Sequence, residues 1–190
     1  MSDDALGYKW RGFTEINPVS KRKFVIPCDE AIPHEAGHIL VGRAVGFLAR
    51  GLDVEVVRLP DGKGVTVGNF ATLAWSPPDE EIPKMASELR AAYMLFVAGG
   101  IAGNKFAGLK TPCMGADADR KELARLTDRT LEDVADIAVR MIHQHRRHFR
   151  QLVSLIRRRF IERLLKNRDI ETGRHLLVSQ ADLQKIFGDH

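Results

Sequence analysis

The sequence predicts a mainly helical (α+β) domain, with a small β-hairpin or sheet after an early helix and a C-terminal helical bundle. Three observations carry this. "PHEAGHILVGRAVGFLA" and "MASELRAAYMLFVAGGIAGNKFAG" are apolar stretches of helix length without internal proline beyond the first turn. "LDVEVVRL" and "GVTVGNFATLAW" are β-branched, partly alternating, and separated by the turn sequence "PDGKG". From Thr130 onward, "TLEDVADIAVRMIHQHRRHFRQLVSLIRRRFIERLLKNR" is strongly helical.

At 190 residues, 44% hydrophobic and 28% charged, the chain has the composition of one globular domain able to bury a core. Residues 1 to 27 read as a poorly structured lead-in. Residues 28–128 form the core and 129–190 a helical part of the same domain. Pro33 suits a first helical turn, where its missing N–H costs nothing, and Asp29 and Glu30 lie favourably upstream. Asp117 is an acceptable N-cap for a helix through "RKELARL", Thr130 for the next, and Ser179 for a short closing helix "VSQADLQKIF". Leu152, Val153, Ile156, Phe160 and Leu164 form one apolar stripe that leaves the arginines outside.

Two cysteines, Cys28 and Cys113, make no disulfide framework and read as packing residues. The first residues lack the apolar stretch of a signal peptide, and "AAYMLFVAGGIAG" is too short and glycine-rich to span a bilayer. A soluble chain in a reducing, cytoplasmic setting is expected. The net charge of +4 is uneven: Arg140 to Arg168 holds ten Lys or Arg against the single acid Glu162. This reads as a solvated basic face able to meet an acidic partner; with no nucleic-acid motif beside it, nucleic acid is not expected.

The chemistry concentrates in "IPHEAGHIL". Four residues of helix turn through about 400° and rise about 6 Å, so His34 and His38 project from one face and can converge on one ion. Glu35, rotated by about 100°, flanks the open coordination position where a general base must stand. This H-E-x-x-H pattern is the signature of zincin-like metallopeptidases, and it arises by chance in fewer than about one in a hundred chains of this length. Gly37, inside the motif, costs about 1 kcal/mol relative to alanine and calls for a close backbone neighbour; Gly42 and Gly46 either extend that slim face or serve helix packing alone. No histidine follows within the next hundred residues, so the third ligand must come from elsewhere. "CMGADADRKEL" offers Asp117 and Asp119, with little local reason to choose between them. His143, His145 and His148 cluster among arginines, a weak second metal candidate.

The order of these segments resembles the peptidase domain of the FtsH-type ATP-dependent zinc metalloproteases. "HEAGH", the two strands, "VAGGIAGNKFAG" and "GADADRKELARL" carry the resemblance from about Asp29 to Leu126. It implies Zn²⁺ held by His34, His38 and Asp119, with Glu35 as catalytic base. It also implies a stand-alone peptidase acting on peptides or unfolded proteins without an ATPase or membrane anchor. Where that family's helix carries a pair of glutamates, Gly103 and Asn104 stand here, so a catalytically weak zinc-binding interaction module is the alternative expectation. The exposed edge of Val65 to Leu73 is expected to hold an extended peptide by strand addition.

Overall fold

The computed structural model describes residues 14–16, 23–25, 31–58, 64–109, 116–165 and 171–188. The first helix, α1 (Ala31–Ala44), is buried without interruption from Pro33 to Gly42. A helix apolar on all sides belongs in the middle of a fold, and α1 lies there, packed against the sheet and against three other helices. Val45, Gly46 and Phe47 close it through backbone bonds to Val41, Arg43 and Gly42. Gly46 does not extend the slim face. Its φ of 75° makes it the left-handed residue that ends the helix, with no neighbour that a side chain would meet.

The two β-branched segments form the expected antiparallel hairpin, β3 (Gly51–Arg58) and β4 (Gly64–Leu73). Along β3, Leu52, Val54 and Val56 are buried in alternation, the signature of a strand with one face on a core. A third antiparallel strand, β5 (Gly173–Val178), pairs with the other side of β3. The C-terminal part is therefore not helical throughout: it returns a strand to the sheet. The lead-in also differs from expectation. Within it, β1 (Thr14–Ile16) and β2 (Lys23–Val25) pair antiparallel, and β2 runs parallel to the first three residues of β4. The sheet order is β1-β2-β4-β3-β5. Part of the expected free edge of Val65 to Leu73 is thus occupied. From Gly68 to Leu73, β4 pairs among the described residues with β3 alone.

The helices follow as α2 (Ser87–Phe106), α3 (Ala116–Ala124), α4 (Leu131–Gln144), α5 (Arg146–Phe160) and α6 (Gln180–Phe187). Thr130 caps α4 by accepting from the Asp133 N–H at 3.2 Å. Ser179 caps α6 in a reciprocal box with Asp182. The single long helix expected after Thr130 is divided at His145, whose φ of −109° and ψ of 26° leave the helical basin. The bend lets Ile142 before it and Phe149 after it both be fully buried. All five residues of the expected stripe are buried. No helix among the described residues is long and apolar enough to cross a membrane.

The closest packing in the fold is between α1 and α2. A Cβ on Gly37 would collide with the Gly99 carbonyl, one on Gly99 would lie 2.7 Å from the Gly37 oxygen, and one on Gly103 would strike the Pro33 carbonyl. Glycines on both helices let the two backbones touch, which answers why a helix breaker stands inside the motif. Gly37→Ala is expected to destabilise by about 1–3 kcal/mol, the usual size of overpacking in a rigid core. Urea denaturation checks this against Leu48→Ala, an exposed position expected to change stability by less than about 0.5 kcal/mol.

Candidate metal centre

α1 supplies two imidazoles and α2 supplies the room for them. His34 and His38 are 2% and 7% exposed, and their Nε2 atoms stand 3.1 Å apart. Facing them is Gly100, where a Cβ would overlap the His34 ring and sit 2.6 Å from His38 Nε2. A side chain here would fill the space in which both nitrogens converge.

The third donor comes from the first turn of α3. Asp119 Oδ2 lies 3.3 Å from His34 Nε2 and 3.5 Å from His38 Nε2. Several contacts hold α3 in this place. Ala116 and Leu123 are buried, and the Tyr93 hydroxyl donates to Glu122 at 2.6 Å. Arg125 reaches Asp79 and the Pro77 carbonyl, and Arg120 bonds Glu132 on α4. Asp117 is turned outward, 83% exposed, and pairs with Arg120 at 3.2 Å. Because α3 already begins at Ala116, Asp117 sits inside the first turn rather than at the cap expected for it.

Three donors separated by 3.1, 3.3 and 3.5 Å form a nearly equilateral triangle. Ligands of a tetrahedral ion, bonded at about 2.0–2.1 Å, stand about 3.3–3.4 Å from one another. The edges bracket that spacing. The same lengths are poor for a network of direct hydrogen bonds, since charge-assisted N–H···O bonds close to about 2.7–2.9 Å. Asp119 Oδ2 is in fact buried without a well-formed hydrogen bond. The three ligand atoms lie close enough together to share one ion. His34, His38 and Asp119 can hold a metal ion.

The tautomer of His38 agrees. Its Nδ1 is 2.8 Å from the Phe96 carbonyl, which can only accept, so Nδ1 carries the proton. In the neutral ring this leaves the Nε2 lone pair facing Asp119 and His34, the state a ligating imidazole needs. Nδ1 of His34 is buried without such a partner, as are both amide atoms of Asn104, one turn along α2 from Gly100.

Without a cation, a proton must hold the cluster together. Burial alone would lower the His38 pKa, but the Asp119 carboxylate and, less strongly, Glu35 lift it to about 9. Burial raises the Asp119 carboxyl, yet the two imidazoles pull it further the other way, well below the usual carboxylate range. Glu35 itself is 7% exposed, and its Oε2 accepts a hydrogen bond from the Thr72 hydroxyl of β4 at 2.6 Å. One carboxylate oxygen is therefore fixed by the sheet while the charge still acts on the metal centre.

The second histidine cluster makes ring contacts instead. His143 stands edge-on to Phe106, and His145 and His148 stack with centroids 6.2 Å apart. They form no metal group among the described residues. Cys28 and Cys113 lie outside the described residues. Thr72 and the Phe96 carbonyl were not singled out by sequence reasoning, whereas Asn104 was marked only as standing where the FtsH-type helix carries a glutamate. Gly100 was visible within "AGGIAG" but without a role.

Compared with known protein families the chain matches none of them, and no curated protein matches it either.

Two outcomes check this centre. Asp119→Ala and His38→Ala are expected to lose stoichiometric metal on dialysis against a chelating buffer while Asp117→Ala keeps it, as measured by elemental analysis. Because His38 binds a proton below about pH 9 in the metal-free cluster and must release it to ligate, metal affinity rises with pH. One released proton corresponds to about tenfold per pH unit, flattening above the His38 pKa, and competition titrations read it.

Proposed function

We propose that the chain is a zinc-dependent metalloendopeptidase, similar to the peptidase domain of the FtsH-type proteases, that hydrolyses peptide bonds in peptides or unfolded proteins. The observation that carries the reading is the His34–His38–Asp119 triangle with Glu35 beside it, held by Thr72. Two imidazoles and one carboxylate with a fourth position open are the donor set of catalytic zinc sites. When bound, the ion would polarise the scissile carbonyl and acidify the attacking water.

The work of the chain's own residues follows from their placement. Glu35 takes the proton of the water and passes it to the leaving amine, using the oxygen that Thr72 leaves free. Thr72 keeps that carboxylate in one rotamer, which prevents it from swinging into the metal position. The stretch of β4 from Gly68 to Leu73, unpaired on one side among the described residues, runs past Glu35 and can take an extended peptide as an added strand. Such a mode requires an unfolded substrate, because a folded one has no free strand to offer.

Glu35→Gln is expected to lower the cleavage rate of an unstructured protein by about 10²–10⁴ while metal content stays stoichiometric. Equal rates in wild type and variant would remove Glu35 from the mechanism. Thr72→Val is expected to lower kcat more than it changes KM, again with metal retained.

A second reading, a zinc-binding interaction module without turnover, is favoured by the unpartnered Asn104 amide and His34 Nδ1. It predicts stoichiometric metal in wild type and no cleavage of any unfolded chain at any pH at which the metal is bound.

A further inference from the structure

The positive charge of the chain has an address in the fold. α5 buries one face through Leu152, Val153, Ile156 and Phe160. On its outer side Arg146, Arg150, Ser154 and Arg158 follow one another at intervals of four and are all exposed. Each interval advances about 6 Å along the helix, so the row is about 18 Å long. α6 lies alongside, and between the two is an open cavity of about 590 Å³.

The walls of this groove are charged in excess. Arg146, Arg147, Arg150 and Arg158 line it from α5 and Lys185 from α6. None of the five has an acidic partner or a hydrogen bond among the described residues. The acid in the lining, Asp182, is already occupied by Arg159 at 2.6 Å and by the Ser179 backbone N–H and hydroxyl. Leu155 and Ile186 add an apolar strip.

We propose that this groove binds an acidic peptide segment in extended conformation. In a strand, residues two apart point the same way and stand about 6.6 Å apart, close to the step of the arginine row. Acids at alternate positions thus meet Arg146, Arg150 and Arg158 at the first, second and fourth places of the row, with the Ser154 hydroxyl at the third, and each guanidinium can grip a carboxylate with two parallel hydrogen bonds. The small residues between them face Leu155 and Ile186 or solvent. Other anions suit the groove less well. Among the described residues no aromatic side chain lines it, so single-stranded nucleic acid finds no stacking platform. A concave surface does not enter the grooves of a duplex. A compact phosphate would satisfy one or two cations and leave the others of the row repelling one another. The proposal does not depend on the metal centre.

A labelled twelve-residue peptide alternating glutamate and alanine is the probe, followed by fluorescence anisotropy at low and at physiological salt. One-to-one binding that weakens with salt is expected. The triple variant Arg146→Gln/Arg150→Gln/Arg158→Gln should bind about tenfold more weakly, the combined size of three exposed ion pairs. Lys185→Gln, on the opposite wall, should lose a smaller factor with α5 untouched. An alternating glutamine–alanine peptide, which the β4 edge would accept as an added strand but the arginine row would not hold, should fail to displace the probe, which separates this groove from the peptidase reading. Undiminished binding by both groove variants would overturn the proposal. So would displacement of the peptide by oligothymidylate or inorganic tripolyphosphate at lower concentration than by unlabelled peptide.

Discussion

The contact on which everything else depends is the crossing of two helices without side chains between them. Gly37 and Gly99 bring α1 and α2 to backbone contact, and Gly103 receives the Pro33 carbonyl. Three consequences follow from this single approach. Gly100 leaves the room in which both imidazoles meet, the Phe96 carbonyl comes within 2.8 Å of His38 Nδ1, and the α2 segment that begins at Ser87 carries Tyr93 into position to hold α3. The cost of glycines inside two helices, about 1 kcal/mol each, is offset by the burial of α1 along ten consecutive residues.

The second constraint is between the motif helix and the sheet. Glu35 would be a buried carboxylate with no partner if β4 did not place Thr72 at 2.6 Å. Buried carboxylates are tolerated when hydrogen-bonded, and here the bond also fixes which oxygen stays available. The motif helix contributes His34, Glu35 and His38 to a common cluster, the strand Thr72 and the first turn of α3 Asp119. The basic groove lies on the opposite chemistry: Arg146, Arg147, Arg150, Arg158 and Lys185 present charge that no acidic side chain pairs among the described residues.

The parts legible in the sequence were those with local signals. His34 and His38 share a face because helices repeat, and the hairpin was marked by β-branched runs around "PDGKG". Thr130 and Ser179 were recognisable as caps by residue type. Asp119 became distinguishable from Asp117 through its place in "GADAD" rather than through local physics, since both lie in the first turn of α3. What escaped is non-local. Strands of three residues, β1 and β2, are too short to show alternation, and β5 pairs with a strand more than a hundred positions away. The bend at His145 involves no glycine or proline. Thr72 belongs to a strand whose pattern says only which face it presents, not that a glutamate 37 positions earlier lies beneath it.

The most direct test of the central claim is the coordination shell of the metal itself, read by X-ray absorption on protein loaded with one equivalent of zinc. The account predicts four-coordinate zinc with two imidazole nitrogens, one carboxylate oxygen and one further light atom, at about 2.0–2.1 Å. A shell containing sulfur, or one whose imidazole scattering persists unchanged when both His34 and His38 are replaced, would contradict it.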